Sequence, residues 1–164
     1  MKYIVKPVTD QDLPAIIELM REFAEYERLA SYLEVTQAKL REAIFGESSF
    51  VEGLIASANG ESVGYAIYYP SFSTFRGQLG FFLEDLYVSE KYRGTGVGEL
   101  MFRKIAGLAR SRGFDRIDFQ VLEWNKSAIG FYEKLGAVCA DDERHFKLTD
   151  EAFAKLAGEQ HVRA

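Results

Sequence analysis

The stretch from Phe81 to Leu100 constrains the fold of this chain more than any other. An apolar run that contains two acidic residues leads into a glycine-rich loop, and an amphipathic helical pattern follows at once. The glycines Gly94, Gly96 and Gly98 allow the tight backbone turns with which a strand can give way to a helix. Backbone N–H groups of such a loop can converge on one point, where the helix N-terminus adds positive dipole. The pattern predicts a strand–loop–helix unit that binds phosphate or pyrophosphate, although any tight strand-to-helix turn can use glycines.

Composition and charge narrow the classes of protein to which the chain can belong. Its 164 residues suffice for one domain with a sizeable core. The net charge of −5 disfavours a nucleic-acid surface, and no apolar run approaches the ~20 residues of a membrane span. The single cysteine, Cys139, excludes an internal disulfide, fits a reducing cytoplasm and is expected to be a small core residue. We therefore expect a cytoplasmic protein without nucleic-acid or membrane partners.

Hydrophobic periodicity predicts an α+β fold. Before the glycine loop, the predicted elements are a strand at residues 2–8, a helix capped by Thr9 and Asp12, a helix between Thr36 and Gly46, strands at Phe50–Ala58 and Glu61–Tyr69, a loop at Pro70–Gly77 and a strand at Gln78–Val88. After it come a helix from Val97 to Gly113, a strand at Phe114–Leu122, a helix from Asn125 to Gly136, a strand near Phe146 and a helical piece from Asp150. The strand–helix–strand succession around the loop should form a right-handed parallel crossover, whereas the earlier strands follow one another as antiparallel hairpins.

Two motifs together resemble those of the GCN5-related N-acetyltransferases, the GNAT superfamily, which bind acetyl-CoA. Arg93-Gly-Thr-Gly-Val-Gly98 resembles the family's pyrophosphate loop, and Asn125 opens a helix that carries Phe131-Tyr132-Glu-Lys-Leu-Gly-Ala137. The resemblance implies the GNAT fold: a central mixed, mostly antiparallel twisted sheet with helices on both faces. It further implies a single N-acetyltransferase domain over residues 1–164 and direct transfer of an acetyl group from acetyl-CoA through a ternary complex.

Within the superfamily, the chain resembles the diamine (spermidine/spermine) N-acetyltransferases and their thialysine-acetylating relatives. The matching segments are Glu25-Tyr-Glu27, Tyr68-Tyr69, Leu83-Glu-Asp85, Tyr92-Arg93-Gly94 and Glu123-Trp-Asn125. The segment Ser73–Gly77 is closer to the thialysine branch, whereas Arg144-His145 stands where a tryptophan is expected. The resemblance implies a homodimer that acts on the primary amine of a polyamine, diamine or lysine-like amino acid. A protein lysine or N-terminal acetyltransferase and a non-catalytic acyl-CoA-binding module are the alternatives.

Acetyl transfer to an alkylamine first requires that the ammonium group lose a proton, which costs roughly 3 pKa units at pH 7. The resemblance implies that Glu84 is the base, acting through water. Its apolar strand should bury it and thereby raise its pKa. Strict alternation would turn Asp85 to the opposite face, but a bulge would change which acid faces the substrate. The alternative is that both acids form structural ion pairs.

Tyr132 is the candidate general acid. It follows Asn125 by two helical turns and so shares its face, and a phenol stays protonated at pH 7 and can give its proton to a leaving thiolate. A core tyrosine is the alternative. Backbone N–H groups of the Leu86–Val88 segment are the expected partners of the oxyanion.

The resemblance also assigns the remaining site residues. Cofactor-binding residues are expected to be Leu86, Tyr87, Val88, Arg93, Gly94, Thr95, Gly96, Val97, Gly98, Glu99, Asn125, Ser127 and Lys134. Substrate-binding residues are expected to be Tyr26, Glu27, Glu84 and Asp85. Arg93 either adds charge to the phosphate site or fixes the loop to its neighbours. His145 and His161 lack metal-ligand spacing, and no metal is expected.

Overall fold

The computed structural model describes residues 2–158, in one unit that runs to Gln120 and a second that begins at Val121. The first unit is built on a five-stranded sheet whose strands lie side by side in chain order. These strands are β1 (Tyr3–Pro7), β2 (Glu52–Ala58), β3 (Glu61–Ser73), β4 (Gln78–Val88) and β5 (Arg116–Phe119). All neighbours pair antiparallel except β4 and β5, which are parallel. The predicted mixed, mostly antiparallel sheet is confirmed.

Helices cover both faces of this sheet. One face packs against α1 (Leu13–Tyr26) and α2 (Gln37–Phe45), whose buried apolar side chains share a core with Tyr65, Ile67 and Tyr87 of the sheet. The other face packs against α3 (Val97–Ser111): an added Cβ at Gly64 would lie 3.4 Å from Met101 Sδ. We call these the α1 side and the α3 side of the sheet.

The helix boundaries follow from the caps that the sequence predicts. Asp12 Oδ2 accepts a hydrogen bond of 2.8 Å from Thr9 N, and a short 3₁₀ turn at Asp10–Asp12 leads into α1. Thr36 Oγ1 accepts a bond of 3.2 Å from Lys39 N at the start of α2. Both predicted caps are confirmed, and each satisfies a backbone N–H that a helix N-terminus leaves unpaired.

Two strand boundaries differ from the prediction. β3 continues through Pro70 to Ser73 and pairs with Gln78–Phe81, so the predicted loop shrinks to residues 74–77. A proline is tolerated there because the pairing of β2 with β3 begins only at Tyr68, which leaves one edge of β3 without a partner in β2. β5 is shorter than predicted because it pairs only with Gly80–Leu83 of β4.

The second unit contains α4 (Lys126–Lys134) and α5 (Asp150–Gly158). The predicted strand near Phe146 is wrong, since residues 140–149 form no strand in the described part of this unit. Phe146 is 85% exposed, so its apolar side chain is not held in a sheet face. Cys139 is exposed as well, which corrects its expected core position. His161 lies outside the described residues.

None of the helices within residues 2–158 combines the length and the apolar character needed to cross a membrane.

Candidate active site

The glycine loop connects β4 to α3 and places open space beside two glycines. Gly94 has φ +72° and Gly96, the N-cap of α3, has φ +91°, a region that residues with a Cβ enter only at a cost. An added Cβ would meet no atom within 4 Å at either position. The backbone there is therefore accessible to a ligand, and α3 begins at the next residue, Val97. An open backbone at a helix N-terminus is a common site for a phosphate group.

Side chains hold the glycine loop in this shape from several directions. Tyr92 Oη donates a hydrogen bond of 2.7 Å to Glu61 of β3. Thr95 Oγ1 donates to the carbonyl of Tyr92 and accepts a bond of 2.7 Å from Tyr3 Oη of β1. The hydroxyl of Thr95 is thus used within the protein, so its expected contribution to a ligand would come from its backbone.

Arg93 links the loop to the end of α1. Its Nε donates a bond of 2.9 Å to the Val88 carbonyl. Its guanidinium carbon lies 4.2 Å from the ring centroid of Tyr26 and 5.4 Å from that of Tyr87. Of the two roles left open by the sequence, these contacts favour fixing the loop to its neighbours.

A β-bulge in β4 interrupts the alternation of its side chains. Ile67 of β3 pairs with Asp85 and Tyr68 pairs with Leu83, so Glu84 is an extra residue without a partner in the register. Because paired residues share a face, Asp85 lies with Ile67 on the α1 side. Glu84 forms a side-chain hydrogen bond with Tyr69, which follows Ile67 by two residues and so shares its side. The expectation that strict alternation separates the two acids is therefore wrong, because the bulge leaves both on the same side of the sheet.

The two acids differ in environment. The side chain of Glu84 is exposed, so the expectation that its strand would bury it is also wrong. Asp85 is more enclosed, and its Oδ2 accepts a hydrogen bond of 3.0 Å from Tyr65 Oη. Burial raises the pKa of Asp85 to about 6, the Tyr65 bond opposes this, and the charges of Glu84 and Glu27 add to it. A carboxyl group with a pKa near 6 suits proton transfer near neutral pH.

The end of α1 supplies the other residues of this site. Arg28 has φ +59° and ends the helix just after Glu27. Burial raises the pKa of the Glu27 carboxyl, which fits its position near Asp85. Glu22 accepts bonds of 3.2 Å from Tyr87 Oη and 2.8 Å from Ser89 Oγ, and so ties α1 to the end of β4.

The structure therefore places Glu27 and Glu84 close enough to Asp85 for their charges to raise its pKa, and Arg93 connects Tyr26 to the same region. Sequence reasoning missed Tyr65. In the sequence it is one aromatic residue in an apolar strand, and it stands outside the Tyr68-Tyr69 segment that matches the family.

The last residues of β4 extend beyond the paired part of β5. Pairing with β5 ends at Leu83, whereas Leu86, Tyr87 and Val88 pair with β3 alone. This arrangement is compatible with their expected backbone contacts, which stay predictions. Gly98 and Glu99 lie in the first turn of α3, and the Glu99 side chain forms an ion pair with Arg103. Any contact of Glu99 with a phosphate would therefore come from its backbone.

The remaining predicted residues belong to the second unit. Asn125 is buried and caps α4, its Oδ1 accepting a bond of 3.2 Å from Ala128 N, as the sequence predicts. Ser127 and Lys134 are exposed on this helix, and the half-buried Tyr132 contacts the ring of Phe131. Their roles towards cofactor and substrate stay predictions. Among residues 2–158, no three His, Cys, Asp or Glu side chains are grouped so that they could hold a metal ion.

Residues 13–137 match the model of the acetyltransferase (GNAT) family. A thialysine N-epsilon-acetyltransferase of Bos taurus is 37% identical over 166 residues, which cover 94% of this chain and 97% of that protein. A spermidine/spermine N(1)-acetyltransferase-like protein of Homo sapiens is 30% identical over 91% of this chain and 23% of its own length. Among solved structures, an integron cassette protein of V. cholerae superimposes with a TM-score of 0.80, at 22% identity over 96% of this chain and 99% of that one.

Proposed function

Because the chain belongs to the GNAT family and is an N-acetyltransferase, we propose that it transfers the acetyl group of acetyl-CoA to the primary amine of a lysine-like amino acid or polyamine. One observation carries the proposal: a group of three carboxylates, Glu27, Glu84 and Asp85, lies in the same unit as the accessible glycine loop. The loop suits an anionic cofactor and the carboxylates suit a cationic acceptor.

The glycine loop would hold the pyrophosphate of the cofactor. The open space beside Gly94 and Gly96 and the N-terminus of α3 support this assignment. When bound, acetyl-CoA supplies a thioester whose carbonyl carbon is the electrophile for an amine nitrogen. Arg93, in this proposal, keeps the loop in place through its bond to Val88.

Asp85 is the better supported proton acceptor of the two acids. An alkylammonium group must lose its proton before its nitrogen can attack, and a partly dehydrated carboxylate with a pKa of about 6 is largely ionised at pH 7 yet basic enough to take that proton. Glu84, which the family resemblance implies as the base, is exposed to solvent. We propose that Glu84 and Glu27 instead attract the cationic substrate, with Glu84 acting through water as the alternative base.

The acidic surroundings favour an acceptor that carries a second charged or polar group. Exposed carboxylates each contribute about 0.5–1 kcal/mol to such binding, so affinity should be modest and sensitive to salt. The higher identity to the thialysine enzyme than to the spermidine/spermine-like protein supports a lysine-like acceptor. A protein or peptide acceptor remains the second candidate class.

Roles in the second unit are proposed from the family resemblance. Tyr132 Oη would hold the proton that the leaving thiolate takes up, and Asn125, Ser127 and Lys134 would contact the cofactor. We further propose that both units serve one N-acetyltransferase domain and that donor and acceptor bind together before transfer. A cytoplasmic location stays a prediction from composition.

The proposed acceptor is tested by incubating the purified protein with acetyl-CoA and each of thialysine, lysine, spermidine, a simple monoamine and a lysine-containing peptide, and measuring free thiol and product mass. We expect thialysine and spermidine to be acetylated, with kcat/KM at least tenfold above that of the monoamine. Equal use of the monoamine would refute the proposal that the site favours an acceptor with a second charged or polar group. If only the peptide is acetylated, the function is protein acetylation instead.

A further inference from the structure

We propose that Tyr65 is a positioning residue for the acetyl transfer: its buried hydroxyl holds the carboxylate of Asp85 in the orientation and charge state in which it accepts the proton of the amine. The inference rests on the proposed function, in which Asp85 is the proton acceptor. Tyr65 itself is not expected to contact the substrate, because none of its surface is exposed.

Packing fixes the position of the Tyr65 ring. It belongs to the core on the α1 side of the sheet, and its ring centroid lies 6.3 Å from that of Tyr87, the residue with which it pairs across β3 and β4. Its hydroxyl is 3.0 Å from Asp85 Oδ2. A donor on this fully buried ring holds one carboxylate oxygen and leaves Oδ1 to receive the proton.

The bulge is what makes this contact available. With strict alternation from Leu83, Asp85 would lie on the α3 side of the sheet, away from Tyr65. The extra residue Glu84 moves Asp85 to the α1 side, where Tyr65 and Ile67 also lie. The same local irregularity therefore places the acid beside its hydrogen-bond donor.

Three ionisable groups face Asp85 from the elements around it: Glu84 of β4, Glu27 at the end of α1 and Tyr65 of β3. The two carboxylates and burial favour the neutral acid, and the Tyr65 hydrogen bond alone opposes them by stabilising the anion. Burial first, and then the charge of Asp85, raise the pKa of Tyr65 well above its usual value. Its hydroxyl therefore keeps its proton and acts as a permanent donor.

The test compares Tyr65→Phe with Tyr68→Phe. Both remove one hydroxyl from a buried tyrosine of β3, but the groups that influence Tyr68 are Glu52 and Arg112. In Tyr65→Phe the acidic limb of the pH profile of kcat/KM should move up by about half a unit to one unit, as expected for loss of one hydrogen bond to a carboxylate. Activity at the alkaline plateau should fall as well, because the ionised carboxylate is no longer held in orientation, and the acidic limb of Tyr68→Phe should not move.

A second readout needs neither cofactor nor substrate. The titration of Asp85 can be followed by NMR of ¹³C-labelled aspartate carboxyls, with its signal identified by its loss in Asp85→Asn. We expect its midpoint to rise in Tyr65→Phe together with the kinetic limb. An unchanged midpoint would overturn the role of Tyr65. A raised midpoint with an unmoved kinetic limb would show that Asp85 is not the proton acceptor, so that the proposed function fails at that step and the hydrogen bond is only structural.

Discussion

At the scale of single residues, the carboxyl group of Asp85 lowers the stability of the fold at the pH where it is proposed to act. Its pKa rises from 3.8 to about 6, chiefly because the group is buried. Between these two values the folded chain binds a proton at Asp85 that the unfolded chain does not. Stability is therefore lost as the pH rises through this window, and by pH 7 the loss reaches at most about 3 kcal/mol. Retention of such a group is more easily explained by function than by folding.

Asp85→Asn should therefore stabilise and inactivate the protein together. We expect its free energy of unfolding to exceed that of the wild type by about 1–3 kcal/mol at pH 7 and to match it near pH 4, because asparagine still offers an acceptor to Tyr65. Its kcat should fall by about 10²- to 10⁴-fold, the range for loss of a general base. Denaturant titrations and steady-state kinetics measure the two effects.

Glu84→Gln is the matched control, since it makes the same chemical change at the neighbouring, exposed acid. We expect it to raise KM with little change in kcat or in stability. A collapse of kcat in Glu84→Gln, with Asp85→Asn still active, would assign the base to Glu84.

At the scale of secondary structure, the glycine loop is the element whose role is tested most directly. Gly96→Val places a branched side chain at φ +91°, in the space that a phosphate would occupy, at a strain of about 1–2 kcal/mol. Affinity for acetyl-CoA, measured by calorimetry, should drop at least tenfold while the fold persists.

Gly77→Val is the control for backbone strain. Gly77 lies in the turn between β3 and β4, with φ +60° and equally open surroundings. It should lose similar stability without losing affinity. If both variants bind acetyl-CoA like the wild type, the glycine loop is not the cofactor site.

The sequence predicts these elements well where residue types act locally. Thr36 and Asn125 begin helices because their side chains accept hydrogen bonds from nearby backbone N–H groups, and before α1 the Asp12 side chain accepts one from Thr9 N. The bounds of β4 are also as predicted. The sequence allows a bulge near Glu84 but does not locate it, because no residue type marks the position at which a strand gains one residue against its partner. The contact between Tyr65 and Asp85 depends on that bulge, so it could not be predicted either.

The strand predicted near Phe146 illustrates a related difficulty. Alternating apolar residues describe one strand, but a strand forms only where another strand's edge can pair with it. Local pattern carries no information about such a partner.

At the scale of the whole molecule, we propose that two copies of the chain associate. The β3–β4 hairpin carries large apolar side chains at its end that the first unit does not bury: Phe72 is 60% exposed, Phe75 fully exposed and Leu79 48% exposed. Such a group of apolar side chains is more typical of an interface than of a free surface. The family resemblance implies a homodimer as well.

Light scattering across micromolar concentrations should give twice the 18.6 kDa mass of the chain. The Phe75 side chain is fully exposed in its own unit, so Phe75→Glu should leave the fold of the unit intact. It should shift the population towards the monomer. A wild-type protein that scatters as a monomer at all these concentrations would contradict the proposal.

The extra residue in β4 also determines how this strand can be aligned with, or transplanted into, another sequence. A related chain can pair this strand without the bulge in two ways. If it keeps every residue, all side chains after Leu83 change sides, so that Tyr87 would leave the α1 side and Leu86 would take its place there. If it lacks the residue that corresponds to Glu84, Asp85 follows Leu83 directly opposite Ile67 and Tyr68, and the two faces of the site stay as they are. Insertions and deletions at this position are therefore the sequence differences to check first when a related chain is assigned the same chemistry.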